Sequence, residues 1–243
     1  MNTVKINSEN TKMVAHRGVS GIEKENTCPA FVAAGNRSYF GIETDIHITK
    51  DKKFVVIHDS STKRVSFEKY DINVEDVEYS DLKDIVLPDR DGSYIRQDIR
   101  IPLLAEYVKI CKKYDKICVL ELKGNFETED CERLIKEINE LEYLGNVIFI
   151  SFSEENCINM RALLPEAEIQ FLKSGEIKEE ELVSFLLENS LDLDIDHRSL
   201  TKDFVDRLHS HGIKVNCWTC DNKERAEELV LMGVDFITSN ILE

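Results

Sequence analysis

Residues 117–163 read ICVLELKGNFETEDCERLIKEINELEYLGNVIFISFSEENCINMRAL. Ile117–Leu122 and Val147–Ile150 are short apolar segments, which is typical of buried strands. Thr128–Leu144 and Glu154–Leu163 instead carry apolar residues at the spacing of amphipathic helices. Strands that alternate with helices in this way predict a parallel sheet covered by helices, and therefore an α/β protein.

The same alternation continues in both directions from this stretch. Further strands are predicted at Met13–His16, Gly41–Ile46, Glu168–Leu172, Leu191–Ile195, Ile213–Trp218 and Phe236–Thr238, and further helices at Leu104–Tyr114, Lys178–Asn189, Thr201–His211 and Asn222–Met232. An open doubly wound sheet would also alternate, but no G-x-G-x-x-G motif follows the first strand, and polar residues cluster after several different strands. The pattern favours a TIM (β/α)₈ barrel, formed by residues 1–243 as a single domain.

Two segments interrupt the regular alternation after the second predicted barrel strand. Phe54–Ile57 predicts an extra strand, and Ser60–Arg100 is a charged, irregular excursion that ends at Ile101-Pro102. We interpret this excursion, about residues 60–100, as an insertion or lid beside the active-site face. It carries none of the candidate chemical groups described below, so we expect it to select the substrate rather than to take part in the chemistry.

The composition excludes several classes of partner. The formal net charge is −16, which argues against binding to nucleic acid or to an anionic membrane surface, since both require a basic surface. No apolar segment is long enough for stable membrane insertion, Met1–Lys12 is polar, and the seven cysteines are scattered, so we expect a cytoplasmic protein. An anionic substrate would then need a few local cations or a bound metal ion.

The first candidate group follows the first strand. His16-Arg17-Gly18 places a histidine and an arginine at the rim of the predicted barrel, where a histidine can carry protons or be a satisfied structural group. Glu25-Asn26-Thr27 then precedes a predicted helix, so Asn26 or Thr27 can cap that helix. Glu25 is expected to orient Arg17.

The second candidate group lies on the strand GIETDIHI, residues 41–48. Its period of two places Glu43, Asp45 and His47 on one face. A hairpin turning at residues 51 and 52 would set Asp45 opposite His58, which brings a histidine beside two carboxylates. A solvated acidic face is the alternative for the two carboxylates alone. The histidine of the strand, His47, is expected to be a partly exposed hairpin residue rather than a group near a metal.

The third candidate group is Glu121 with Lys123, two residues apart at the end of a strand. A structural salt bridge is one interpretation. The other combines Glu121 with Glu43 and Asp45 as three acidic oxygen donors, which suit a hard cation such as Mg²⁺ or Ca²⁺. Lys123 and Arg17 would supply local positive charge.

The remaining cysteines and histidines give weaker signals. Cys217-Trp-Thr-Cys220 has the C-x-x-C spacing of redox or half-zinc sites, but no second pair exists, and a buried strand end is favoured. His209 and His211 close a predicted helix, where cationic side chains are favourable, so metal binding is not expected there.

In this order and spacing the motifs resemble the glycerophosphodiester phosphodiesterase family. The resemblance rests on His-Arg, Glu-Asn-Thr, E-x-D, His-Asp after a hairpin, E-x-K, I-P-x-L before a helix and a late Trp-Thr, and it spans nearly the whole chain. It implies a TIM barrel that hydrolyses small glycerophosphodiesters to glycerol 3-phosphate and an alcohol.

The resemblance also implies roles for individual residues. His16 and His58 would be general acid and base, Glu43, Asp45 and Glu121 would bind Mg²⁺, Ca²⁺ or Mn²⁺, Arg17 and Lys123 would contact phosphate, Trp218 would form a wall of the pocket, and Glu25 would support Arg17. Two rival functions are a lysophospholipase D or another phosphodiesterase with a longer substrate, and a non-catalytic barrel that binds phosphorylated ligands. Two proton carriers beside three carboxylates argue against the non-catalytic barrel.

Overall fold

The structure is a computed structural model that describes residues 2–243, so Met1, the first residue of the polar N-terminal segment, lies outside the described residues. The strands are β1 (Lys12–Ala15), β2 (Gly41–Ile48), β3 (Phe54–Val56), β4 (Ile117–Leu122), β5 (Val147–Ser151), β6 (Glu168–Lys173), β7 (Asp192–Asp196), β8 (Val215–Trp218) and β9 (Phe236–Ser239). The α-helices are α1 (Cys28–Gly35), α2 (Tyr79–Leu82), α3 (Leu104–Tyr114), α4 (Thr128–Glu140), α5 (Glu154–Leu163), α6 (Glu179–Glu188), α7 (Lys202–Ser210) and α8 (Lys223–Met232). None of these helices is both long and apolar enough to cross a membrane.

Every strand except β3 belongs to one closed parallel barrel. The strand order is β1-β9-β8-β7-β6-β5-β4-β2, and β1 also pairs with β2, so that Val14 lies opposite both Gly41 and Thr238. Eight parallel strands with helices between them confirm the predicted TIM barrel. The carboxyl ends of these strands meet at one rim, which is where the candidate residues of the sequence accumulate.

The predicted helices agree closely with those observed, with one clear difference at the end of α4. This helix ends at Glu140 rather than at Leu144, because Glu142 has a left-handed backbone (φ 54°) that a helix cannot continue through. A 3₁₀ turn at Leu144–Asn146 then leads into β5.

The predicted register of the β2–β3 hairpin is wrong by one residue. The turn holds three residues, 50–52, because Thr49 and Lys53 are hydrogen-bonded and Lys52 takes a left-handed conformation (φ 63°). One additional turn residue shifts the pairing, so the backbone carbonyl of Asp45 accepts a hydrogen bond from the backbone N–H of Ile57 (3.1 Å), and Asp45 is not paired with His58.

The insertion packs on β3 through its own small apolar cluster. Val55 of β3 and the following Ile57 are buried against Val65, Val74, Leu82, Ile85, Leu87, Ile99 and Ile101. This contact fixes residues 60–100 beside the rim at which the barrel strands end. The barrel interior is filled separately by Val14, Val119, Ile148, Ile150, Leu172 and Phe236, and polar side chains lie on the inner wall as well.

Candidate active site

A cavity of about 90 Å³ opens at the carboxyl ends of the barrel strands. It is lined by His16, Arg17, Glu43, His58, Glu121, Lys123, Ile150, Phe152, Leu172, Asp194, Trp218, Thr219 and Thr238. Seven of the nine site residues predicted from the sequence are among them. Asp45 and Glu25, the remaining two, contact Arg17.

Three buried carboxylates form the acidic centre of the cavity wall. The pairing of β2 with β4 sets Asp45 opposite Glu121, and Glu43 lies two residues earlier on the same inward face. One oxygen atom from each carboxylate lies within 4.8 Å of the other two. Such a group of acidic oxygens can hold a metal ion.

The surroundings raise the pKa values of two of these carboxylates and lower the pKa of the third. Burial, together with Asp45 and Glu121, raises the pKa of Glu43 well above its ordinary value. Burial and the charge of Asp45 raise the pKa of Glu121 to about 8. Burial acts in the same direction on Asp45, but the nearby charges of Lys123 and Arg17 outweigh it and lower the pKa of Asp45. The centre thus has more acidic groups than its two cations can compensate.

Arg17 is held by a strained turn directly after β1. Its backbone is left-handed (φ 51°), its N–H donates to Oε2 of Glu43 (2.8 Å), and its Nη1 donates to Oε1 of Glu25 (2.9 Å). Gly18 follows with φ 74°, and a Cβ there would lie 2.7 Å from the backbone carbon of Ala30. Only glycine therefore allows α1 to pack this closely under the turn.

Lys123 and Asn26 complete the contacts of the acidic centre. The Nζ of Lys123 lies 2.7 Å from Oε1 of Glu121 and 3.1 Å from Oδ1 of Asp45. Asn26 donates to Oδ2 of Asp45 (2.7 Å) and accepts a hydrogen bond from the hydroxyl of Thr44 (2.7 Å). The helix cap is Thr27, so Asn26 is free to hold the carboxylate.

The ring of His16 is oriented by Asn240, which follows β9. Asn240 uses its amide NH₂ to donate to Asp221 (2.6 Å), so its Oδ1 accepts from Nδ1 of His16 (2.7 Å). Burial, with a smaller effect of Arg17, lowers the pKa of His16 to about 4. His16 is therefore neutral near pH 7, and its Nε2, 3.9 Å from Glu43, carries a free lone pair.

His58 is oriented through the residue that follows it. Its Nδ1 lies 2.6 Å from Oδ1 of Asp59, and that carboxylate also accepts from Nε of Arg64 (2.6 Å). Arg64 binds Glu25 as well, at 2.8 and 2.9 Å, and so connects the supports of His58 and Arg17. Burial lowers the pKa of His58.

His47 differs from the expectation of a partly exposed residue. Its side chain is buried because β2 extends beyond the barrel rim and is covered by the insertion. Nδ1 lies 2.8 Å from Glu75 of the insertion, and Nε2 lies 3.1 Å from the backbone oxygen of His58. His47 therefore links the insertion to the backbone of His58.

Trp218 lies within the site, whereas the cysteine pair and His209 lie outside the residues that line it. Trp218 lines the cavity and makes an edge-on contact with Phe152 (ring centroids 5.6 Å apart). Cys217 and Cys220 are buried thiols beside a strand end, as favoured, and burial raises the pKa of Cys217. His209 contacts Asp235 (2.9 Å), away from this cavity.

With this geometry in place, the chain can be compared with known proteins. The profile of the glycerophosphoryl diester phosphodiesterase family matches residues 16–242, nearly the whole barrel. The chain belongs to this family. The resemblance read from the motifs is thereby confirmed, and the chain is an enzyme of the phosphodiesterase class.

Members of the family share both sequence and fold with this chain. The glycerophosphodiester phosphodiesterase of Caldanaerobacter subterraneus is 28% identical over 95% of this chain and 94% of its own length. A crystal structure of a glycerophosphodiester phosphodiesterase from Parabacteroides distasonis is 29% identical, with a TM-score of 0.78 over 95% of this chain and 93% of that chain. An Oleispira antarctica phosphodiesterase, solved with the product sn-glycerol-3-phosphate, shares the fold at 23% identity, with a TM-score of 0.86 over 98% of this chain and 96% of that chain.

Within this phosphodiesterase site, several contacts were not predicted from the sequence. Asp59, Arg64, Asp194 and Asn240 all contact or line the site. Asp59 carries a signal, since it directly follows His58, and Asn240 follows a predicted strand end. The sequence around Arg64 gives no such signal, because its two partners, Glu25 and Asp59, are brought together only by folding. The insertion was expected to contribute no chemical group, and Arg64 shows that it does reach the network around Arg17 and His58.

Proposed function

We propose that this chain hydrolyses glycerophosphodiesters to glycerol 3-phosphate and an alcohol, with a divalent cation and with His16 and His58 as proton carriers. One observation carries the proposal. Two histidines, each with Nδ1 bound to an acceptor, line one cavity beside a group of three carboxylates and two cations. Two oriented imidazoles at one site supply the general acid and the general base that phosphodiester hydrolysis requires.

Glu43, Asp45 and Glu121 are proposed to hold the cation. All three donors are oxygens, which favours Mg²⁺, Ca²⁺ or Mn²⁺ over zinc. The raised pKa of Glu43 fits this role, since crowded carboxylates are stabilised in the ionised form by a cation. When bound, the ion would neutralise negative charge on the phosphate oxygens.

Arg17 and Lys123 are proposed to position the phosphate group. Both side chains are largely buried, at 17% and 15% exposure, and both line the cavity. Charge-assisted hydrogen bonds from these two groups would hold the diester against the general negative field of the chain.

The two histidines are proposed to move the protons. One Nε2 takes the proton from the 2-hydroxyl of the glycerol group as that oxygen attacks phosphorus, and the other imidazole, in its protonated form, gives a proton to the departing alcohol. Water would then open the resulting cyclic phosphate, with the two histidines exchanging roles. Asn240 and Asp59 keep each ring in the tautomer that exposes Nε2.

A coupled assay for glycerol 3-phosphate tests this function. The choline, ethanolamine and inositol esters of glycerophosphate should each release glycerol 3-phosphate in the presence of Mg²⁺, Ca²⁺ or Mn²⁺. Turnover of lysophospholipids alone would contradict the proposed substrate class. We further propose a cytoplasmic location, which the seven free thiols support.

Metal binding is expected to release protons. The pKa of Glu121 is raised to about 8, so this carboxyl retains a proton near neutral pH, and the pKa of Glu43 is shifted in the same direction. A carboxylate that binds a metal ion is ionised. Metal affinity should therefore increase as the pH rises toward 8. Titration calorimetry at pH 7 in two buffers of different ionisation enthalpy measures the released protons, and an identical binding enthalpy in both buffers would contradict the assignment.

Arg64→Ala is expected to lower kcat by roughly 10- to 100-fold, the usual effect of removing a supporting contact of a catalytic group. The reason is that Arg64 holds both Glu25, behind Arg17, and Asp59, behind His58. Arg64→Lys should recover little of this loss, because an ammonium group cannot bind both carboxylates as a planar fork does.

Arg96→Ala is the matched control for Arg64. Arg96 also lies in the insertion and also binds carboxylates, those of Glu23, Asp89 and Asp98, but none of these three is hydrogen-bonded to Arg17 or His58. Equal losses of kcat in the Arg64 and Arg96 variants would assign the effect to the stability of the insertion instead.

A further inference from the structure

The inner face of β7 is unusual because all three of its side chains are carboxylates. Asp192 accepts a hydrogen bond from the backbone N–H of Lys214 (2.8 Å), and Asp196 is paired with Arg198. Asp194 lies between them and is 1% exposed, and its Oδ1 has no hydrogen-bond partner among residues 2–243. A buried polar atom without a partner is costly, and in native proteins it commonly marks a position where water or a ligand binds.

The location of Asp194 identifies the space that it faces. It lines the same cavity as His16, His58 and Glu121. Its strand neighbours in register are Leu172, which is apolar, and Asn216, whose amide already donates to Gln170 (2.9 Å). The surrounding barrel wall thus offers Asp194 no partner, and the cavity is the side from which one can come.

A second unpartnered atom lies on the same wall. The indole Nε1 of Trp218 is buried and has no hydrogen-bond partner among the described residues. Trp218 lies opposite Asp196 in the β7–β8 pairing, so Asp194 is its diagonal neighbour on the inward face. This wall therefore presents an acceptor and a donor that the protein itself leaves unused.

The site provides for an anionic group elsewhere than beside Asp194. The phosphate has its own cations in Arg17 and Lys123, and Asp194 lies close enough to Glu121 for that charge, after burial, to raise the pKa of Asp194. A hydroxyl group is neutral, and it can donate to one partner while it accepts from another. In a glycerol group whose 2-hydroxyl faces a histidine, the terminal hydroxyl is the one left to make these contacts.

We propose that Asp194 determines specificity by binding the terminal hydroxyl of the glycerol group, on a wall shared with the indole N–H of Trp218. The inference rests on the proposed hydrolysis of glycerophosphodiesters and extends it by assigning recognition of the glycerol group to β7. A substrate with the attacking hydroxyl but without the terminal one would leave these buried groups unsatisfied. Sites built around such hydrogen bonds reject the analogue that lacks them.

The test compares two substrates, glycerophosphocholine and 2-hydroxypropyl phosphocholine, which keeps the attacking hydroxyl but lacks the terminal one. Wild-type enzyme should prefer the glycerol ester in kcat/KM. Asp194→Ala should lower kcat/KM for the glycerol ester by roughly 10- to 100-fold, the effect of losing one hydrogen bond to a charged or strongly polar group. For the hydroxypropyl ester it should change kcat/KM less than about 3-fold, because that substrate makes no such contact. Asp194→Asn, which keeps the shape and an acceptor oxygen, should lie between wild type and Asp194→Ala.

Controls separate the possible causes. Asp196→Ala removes a carboxylate from the same face of the same strand, and it should leave the preference between the two substrates unchanged. Equal losses on both substrates in Asp194→Ala and Asp194→Asn, or a loss of metal affinity in calorimetry, would overturn the role of Asp194 while leaving the hydrolytic function standing. Wild-type enzyme that releases no glycerol 3-phosphate from glycerophosphocholine would overturn both.

Discussion

Excess EDTA is expected to abolish the hydrolysis of glycerophosphocholine, and added Mg²⁺, Ca²⁺ or Mn²⁺ to restore it. The physical reason is the balance of charge around Glu43, Asp45 and Glu121, which are buried together and which, among residues 2–243, form ion pairs with Arg17 and Lys123. An anionic diester would add further negative charge to this centre, in a chain whose formal net charge is already −16. When bound, a metal ion would replace the protons on these carboxyl groups and neutralise charge on the phosphate oxygens, so its removal should stop turnover.

Substitution of the carboxylates tests whether they are the groups that bind the metal ion. Glu43→Gln and Asp45→Asn should weaken metal affinity and reduce activity at limiting metal, with thermal unfolding used to check that the fold is retained. Asp130→Asn is a matched control, because Asp130 is a buried carboxylate paired with Lys52 and Arg133 outside the cavity. Full activity in excess EDTA would contradict the metal assignment.

Removal of either histidine is expected to lower kcat by roughly 10² to 10⁴, the usual contribution of positioned proton transfer. His16→Ala and His58→Ala each remove one of the two oriented imidazoles of the cavity. The double variant should lose less than the product of the two single losses, since residues that act as one unit are not additive. His209→Ala is the control, because His209 is also hydrogen-bonded to a carboxylate but lies outside the cavity.

A substrate with a very acidic leaving group separates the two roles. A p-nitrophenyl ester needs no proton on its departing oxygen, so it should rescue only the variant that lacks the general acid. Near wild-type rates of both single variants on glycerophosphocholine would rule out the two-histidine mechanism.

The fold was predictable from the sequence because its signals are local. The composition and the spacing of apolar residues predict strands such as Ile117–Leu122 and helices such as Glu154–Leu163. The alternation of these strands and helices then predicts the closed barrel. The acidic centre was predictable for a related reason. In a parallel barrel the strand ends converge, so Asp45 and Glu121, each near the end of a strand, had to lie close together.

What could not be predicted depends on single backbone angles or on contacts distant in sequence. The hairpin register changed because Lys52 adopts a left-handed conformation, which a lysine seldom does and a sequence pattern does not reveal. The burial of His47 and the double pairing of Arg64 both arise from where the insertion folds back. The sequence close to His47 and to Arg64 does not indicate where the insertion folds back.

We expect this site to break glycerophosphocholine on the choline side and to leave the phosphate on glycerol. Phosphorus-31 NMR of glycerophosphocholine, incubated with the enzyme and Mg²⁺, follows this directly. The substrate signal should be replaced by that of glycerol 3-phosphate, and no replacement should occur in excess EDTA. A growing signal of choline phosphate, which requires cleavage on the glycerol side, would contradict the account.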